Sequence, residues 1–434
     1  MLPREHTARI DLAHEVHARP YEVLETPVRS SFVALLCPLE ARPAEIACFA
    51  ELCAGFGLDP PPADASHFRA EFGGANIRWE RHTEFSTFAV YASSDGLRPF
   101  STTALALLPE GWLSALPGEL VFAAHAELLR GEYAGADPGA HSALFAGNDL
   151  VGSEVGEGAA MVITDFRVHA DGFSRFLVFD RSLTRGQAGR LLHRLFEIEA
   201  YRMMALLALP GARAAMAALA GLEMRLAAIM SKIAEQSGAD EPLLLDALTR
   251  VAAEVENLIA SNQSRFRAAR AYHGIVRSRI GDLRERRIKG LQTIDEFMAR
   301  RLAPAMDTCE SALLREVELS ERVARASGLL STRVDIVRER QNQQLLESMD
   351  RRARLRLRLQ ETVEGLSVVA ITYYLVGLVG HAAKGFEAAG WAVDAEIVMA
   401  ASIPLIAVLA ALGIRYVRRV IVGSQGAVAG RNYY

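Results

Sequence analysis

The sequence predicts an α+β fold: an N-terminal α/β head, a long helical stalk region and a C-terminal two-helix transmembrane hairpin. Three observations predict it. Strand-length runs separated by turn residues fill residues 1–183. A helical hydrophobic period begins at Thr184 and takes over from there. Two runs of 18 residues without a formal charge, 366–383 and 397–414, lie towards the end. The implied organisation is a cytoplasmic head at 1–183, a helical bundle and stalk at 184–363, and a hairpin at 364–434 ending in a short basic cytoplasmic tail.

In the head, residues 30–36 read as a strand, followed by strand-like runs at 68–72, 77–81 and 85–92. Residues 119–128 make another. Residues 161–167 and 175–179 flank an Ala170-Asp171-Gly172 turn and suggest a hairpin. Between these, 131–147 is rich in Gly, Ala, Asp and Pro and reads as a loop.

Beyond Thr184, Leu191, Leu195, Ile198 and Met203 mark an amphipathic helix that Pro210-Gly211 should stop. Further helices are expected at 212–236, 241–270, 275–302 and 306–326, with a break at Ser327-Gly328. A last helix, capped by Ser331 or Thr332, then runs into the first span. Its seam, Val334, Val337, Gln341, Leu345, Met349 and Arg352, mixes apolar and polar residues. That pattern suits either an oligomer around a hydrated axis or packing on the preceding helices. Leu355, Leu357 and Leu359 alternate with arginines, as in a segment entering a lipid interface, where arginine stems snorkel.

The second span holds nine Ile, Leu or Val residues. At roughly −0.5 kcal/mol each, insertion is favourable by a few kcal/mol. The first span is more polar, with Ser367, Thr372, Tyr373, Tyr374 and His381. Arg351, Arg352, Arg354, Arg356 and Arg358 precede it, and Arg415, Arg418 and Arg419 follow the second. The connector has Lys384 against Glu387, Asp394 and Glu396, so both termini are expected on the cytoplasmic side.

The formal charge of −4 gives no basic bias, so nucleic acid is not an expected partner. Of 48 basic residues only Lys232, Lys289 and Lys384 are lysines, a skew attributed to genome composition. Cys37, Cys48, Cys53 and Cys309 lack metal or redox spacing and read as apolar thiols. No Walker loop, nucleophile elbow or paired-cysteine metal site occurs, so no enzymatic activity and no cofactor are expected.

Two groups of residues are candidate sites. Ser367, Tyr374, Gly377, Gly380, His381 and Lys384 form a small or polar stripe on the first span. Such a stripe faces a partner helix or a pore, because polar groups facing lipid are costly. His14, Glu15, His17 and Arg19 suggest either a ligand or metal motif or a structural tie of the N-terminus onto the head. Histidines three apart do not match the four-residue spacing of metalloprotease helices. Asp165, Arg167, Asp171 and Arg175 read as ordinary surface pairs.

Several stretches carry a family resemblance: Glu15-Val16-His17-Ala18-Arg19-Pro20, Thr164-Asp165-Phe166-Arg167, Asp171-Gly172-Phe173, Gln187-Ala188-Gly189-Arg190 and Glu197-Ile198-Glu199-Ala200-Tyr201-Arg202. Arg338-Glu339-Arg340-Gln341-Asn342-Gln343 and Thr362-Val363-Glu364-Gly365-Leu366-Ser367 complete them. Together they resemble bacterial domain-of-unknown-function family 3422, described as predicted membrane-anchored proteins. The resemblance implies an anchor and supplies no activity; the location expected for the chain is the bacterial inner membrane. The layout is also loosely similar to CorA-type magnesium channels, homopentamers whose first span lines the pore. The Gly-Met-Asn hallmark is replaced here by Gly377-Leu378-Val379-Gly380-His381. The expected partners are therefore the lipid bilayer and further copies of the chain, as scaffold or sensor. A divalent cation is expected only if the channel-like alternative holds.

Overall fold

The computed structural model describes residues 3–15, 21–131, 138–235, 241–389 and 394–429. The chain divides into two compact units, Met1–Leu329 and Leu330–Tyr434.

In the first unit, α1 (Arg9–Glu15) precedes β1 (Val28–Leu36), α2 (Arg42–Phe56), β2 (His67–Phe72), β3 (Ala75–Arg81) and β4 (Phe85–Ser93). The short α3 (Trp112–Ala115) and the long β5 (Glu119–Arg130) follow. Then come β6 (Val151–Val155), β7 (Ala160–Thr164) and β8 (Ser174–Asp180). With β9 (Arg286–Arg287) they build one nine-stranded sheet among the described residues, in the order β2-β3-β4-β1-β5-β8-β7-β6-β9. Every pairing is antiparallel except β5 with β8, which joins the two halves. All seven expected strands are present, and β7 and β8 pair around the Gly172 turn. β7 ends at Thr164 instead of continuing to Arg167, because Phe166 adopts a positive φ of 52°. β6 and β9 were not legible. β6 is short and glycine-containing, and β9 has two exposed arginines.

Both faces of the sheet are covered. Val33, Leu35, Ile77, Trp79, Phe88 and Val90 pack with Phe49 of α2 and with Trp112. On the opposite face Phe32, Ala34, Ala89, Ala124 and Phe176 meet α4 (Arg185–Leu206). Behind it lie α5 (Leu209–Glu235) and α6 (Glu241–Leu283). Then come α7 (Ile294–Arg301) and the start of α8 (Ala303–Ala388). Phe32 stacks on Phe196 at 4.8 Å between ring centres. Each large apolar side chain buried there stabilises the fold by about 1.5–3 kcal/mol.

The helix boundaries differ from expectation in four places. The helix expected over 275–302 is interrupted by β9 between Leu283 and Ile294, where Arg284 and Gly290 take positive φ. Pro210 starts α5 instead of stopping α4, since a first-turn proline forfeits no helical hydrogen bond. No break occurs around 271–274, where α6 runs through Gly274 and ends at Leu283. No break occurs at Ser327-Gly328, and Ser331 and Thr332 lie inside α8, so neither caps it. In both helices buried residues at three- and four-residue spacing, such as Leu319, Val323, Ala326 and Leu330, hold the helix across the weak point.

In the second unit α8 continues to Ala388, and α9 (Ala395–Ala429) contains Pro404. Asp394 caps α9, its carboxylate accepting from the Glu396 and Ile397 amides at 2.9 and 3.3 Å. The helices meet where Gly380 lies under Met399, with Ala383 and Ala395 also buried.

Among the described residues three helical stretches are long and apolar enough to cross a membrane: Arg185–Glu235, Ile294–Ala388 and Ala395–Val417. The first places Met204, Ala205, Ala208, Ala212 and Ala215 in the core of the head, and 33% of its most apolar window is buried. In the other two, 11% and 6% of the most apolar window is buried.

Candidate functional site

The polar centre of the first unit is built around α4. A capping box starts this helix: the Thr184 hydroxyl accepts from the Gln187 amide, and the Gln187 side chain accepts from the Thr184 amide. One turn on, Gly189 lets the backbone of Glu22 lie directly on the helix. Residues 21–26 form a strap there. The Leu24 amide donates to the Arg185 carbonyl at 3.1 Å, and Thr26 donates to Asp180 at 2.7 Å.

The strap places the Tyr21 ring edge-on to His193, 5.5 Å between centres, and buries the Glu22 carboxylate 2.8 Å from Arg69. β3 supplies Arg78 and Glu80, two residues apart and therefore on one face, joined at 2.5 Å. That face is the one opposite Ile77 and Trp79, so two charges point inward beneath α4. From α4 come His193 and Glu197, and Arg279 of α6 grips Glu197 through two contacts of 2.9 and 3.2 Å. His193 Nε2 lies 3.8 Å from both Glu80 and Glu197. The buried Tyr91 hydroxyl and His193 Nδ1 have no hydrogen-bond partner among the described residues.

Burial dominates the electrostatics. It pushes His193 down to about 4, so the ring is neutral at pH 7. It raises Glu22 against the pull of Arg69 and Arg78, and raises Glu197 against Arg279. Glu80 goes the other way, because its burial is outweighed by Arg78 and, at the acid pH where its ring charges, by His193. Three carboxylates thus balance Arg69, Arg78 and Arg279, tying strap, sheet, α4 and α6 into one charge-compensated network.

Beside this network is a cleft of about 400 Å³, lined by Gln187, Arg190 and Arg194 of α4 and by Glu157, Asp282 and Arg284. Arg284 pairs with Glu157 at 2.6 Å, and Arg194 approaches Asp282 at 3.6 Å.

A second ordered cluster follows β7. The Asp165 carboxylate is buried, which corrects the expectation of ordinary surface pairs. It accepts from Asn148 at 2.8 Å and from the Arg167 amide at 3.2 Å, with His169 Nε2 at 3.0 Å. These contacts hold the bend at Phe166, whose ring stacks on Phe297 at 4.5 Å. Arg175 donates to the Leu144 carbonyl and to Asp171.

These two clusters contain Gly189, Glu197, Asp165, Phe166 and Asp171, all within the motifs that carry the family resemblance. The profile of the family described as protein of unknown function (DUF3422) matches residues 4–421. The chain belongs to this family. No curated protein and no solved structure matches it.

The candidate stripe lies on α8 and is unevenly covered. Gly380 is buried against Met399, whereas nothing lies within 4 Å of a side chain added at Gly377. Ser367 donates to the Val363 carbonyl at 2.8 Å, and Tyr374, His381 and Lys384 are exposed. At the N-terminus His14 is exposed on α1. The Glu15 side chain, His17 and Arg19 lie outside the described residues. Among the described residues no group of three His, Cys, Asp or Glu side chains is placed to hold a metal ion. Cys37, Cys53 and Cys309 are buried and Cys48 is half-buried, all four free, with burial raising each thiol.

The network around His193 was missed in the sequence. Arg78 and Glu80 alternate with Ile77 and Trp79, a pattern that ordinarily marks a solvent-facing strand edge. The available signal was that α4, with Leu192 and Leu195 flanking His193, needs a sheet face to cover.

Proposed function

We propose that this chain is a self-associating protein anchored in the bacterial inner membrane, its head a cytoplasmic scaffold or sensor and both termini cytoplasmic. One observation carries the reading. Every side chain at residues 338–363 of α8 is exposed except Ser348, which is half-buried. Leu345, Leu346 and Met349 are each more than half exposed. A helix with apolar groups on display is stabilised by a helical partner, and a second copy supplies an identical surface. The arginine-rich flanks of both apolar stretches support the cytoplasmic placement of the termini. α8 is one unbroken helix with residues in both units, which suits a head that reports to its anchor.

Mass photometry of the full-length protein in detergent, with bismaleimide cross-linking of Met349→Cys, tests this. The expected result is an oligomer joined through Cys at that position. A monomer that never cross-links overturns it. A reporter active only in the periplasm, fused after Tyr434, is expected to be silent.

Exposed Tyr374, His381 and Lys384 favour a second reading, a CorA-like cation channel subunit. Polar groups on a membrane helix face protein or water at far lower cost than lipid. Proteoliposomes that pass divalent cations would support it, and tight ones would exclude it.

A further inference from the structure

We propose that the groove between α8 and α9 at the cytoplasmic end of the hairpin is a binding site for one anionic phospholipid. This rests on the membrane-anchored reading above. The groove has a volume of about 450 Å³ and an apolar floor of Leu359, Val363, Ile371 and Ile414. Its polar edge is Arg356, Gln360 and Glu364. Leu359 and Val363 are 67% and 58% exposed, so the floor lacks a covering group from the chain itself. Ser367 reaches the groove, but its hydroxyl is spent on the Val363 carbonyl, leaving the wall apolar there.

Charge and position select the occupant. The groove begins where the charged stalk ends and the 18-residue apolar run starts, which is the headgroup level of an inserted hairpin. Residues 351–364 contain five arginines against Glu361 and Glu364, and Glu364 accepts a hydrogen bond from Gln360. Arg354 is turned to Asp350 at 2.6 Å, whereas Arg356 has no ion-pair partner among the described residues. An acyl chain lying on Val363, Ile371 and Ile414 brings its phosphate to the Arg356 guanidinium, which binds phosphate in a fork. A soluble anion would gain nothing from the apolar floor.

The test is native mass spectrometry of delipidated full-length protein titrated with phosphatidylglycerol or phosphatidylethanolamine. Wild type is expected to retain phosphatidylglycerol preferentially, and Arg356→Ala to lower that retention about fivefold, which is roughly 1 kcal/mol. Arg354→Ala should behave as wild type. Val363→Trp fills the groove without changing charge and should abolish the preference; Ile371→Phe is a second filler, with circular dichroism confirming that both fold. Equal losses in Arg354→Ala and Arg356→Ala, or full retention in both fillers, overturn the proposal in favour of a diffuse basic field. Carbonate extraction of wild-type membranes separates the two readings. A chain that washes off refutes the anchor, whereas a chain that stays but shows no lipid preference refutes only the lipid site.

Discussion

A methyl group added to Gly189 would lie 1.8 Å from the carbonyl oxygen of Glu22. The obstacle is backbone, held in turn by the Leu24 and Thr26 hydrogen bonds, so neither partner can retreat alone. Gly189→Ala is therefore expected to lift the strap and cost about 3 kcal/mol, the upper range for overpacking. Thermal unfolding, with limited proteolysis near Tyr21, measures it.

Gly380→Ala offers the contrast. Its added carbon meets Met399 Sδ, the end of a flexible side chain that can swing aside. The expected cost is under about 1 kcal/mol, and Gly377→Ala, facing open space, should be silent. Gly380→Leu should lower thermal stability in detergent clearly, and Met399→Ala should restore part of the loss.

Stability should fall as pH drops from about 6.5 to about 4, the interval between the ordinary and buried values of His193. In that window the unfolded chain binds a proton that the folded ring refuses. His125, pushed by burial to about 4, adds to the same trend. Glu22 and Glu197 oppose it, because their raised values let the folded state take up protons first. Glu80 acts with the histidines, as its lowered value is lost to protonation at the acid end. His193→Gln should flatten the slope of denaturation midpoint against pH by up to one proton; an unchanged slope would refute the assignment.

Asp165→Ala removes the acceptor for Asn148 and the Arg167 amide and leaves His169 without its partner. A loss of about 2–4 kcal/mol is expected, as for breaking a buried polar network. Asp165→Asn keeps one acceptor oxygen and should lose less, measured by chemical denaturation.

Alternation and turn residues made most of the sheet legible: β1, β4 and β8 stand where their patterns put them, and β7 stops short only at the Phe166 bend. Helix ends were harder to read, since Gly274 and Gly328 look like breaks until buried neighbours override their local preference. The buried charges of Arg78, Glu80 and His193 were invisible for another reason. Their partners come from β3, α4 and α6, far apart in sequence, and no local pattern marks a charge that a distant element will neutralise.

The strap also sets a timetable for synthesis. Thr26 leaves the ribosome 154 residues before Asp180, the group that fastens it. At typical rates of about 5–20 residues per second, that is a wait of roughly 8–30 s. Throughout that interval Glu22 and Tyr21 have no α4 to dock on. The nascent head must therefore pass through a stage in which its first strands are made and its own N-terminal segment is still undocked, open to a chaperone or to a modifying enzyme.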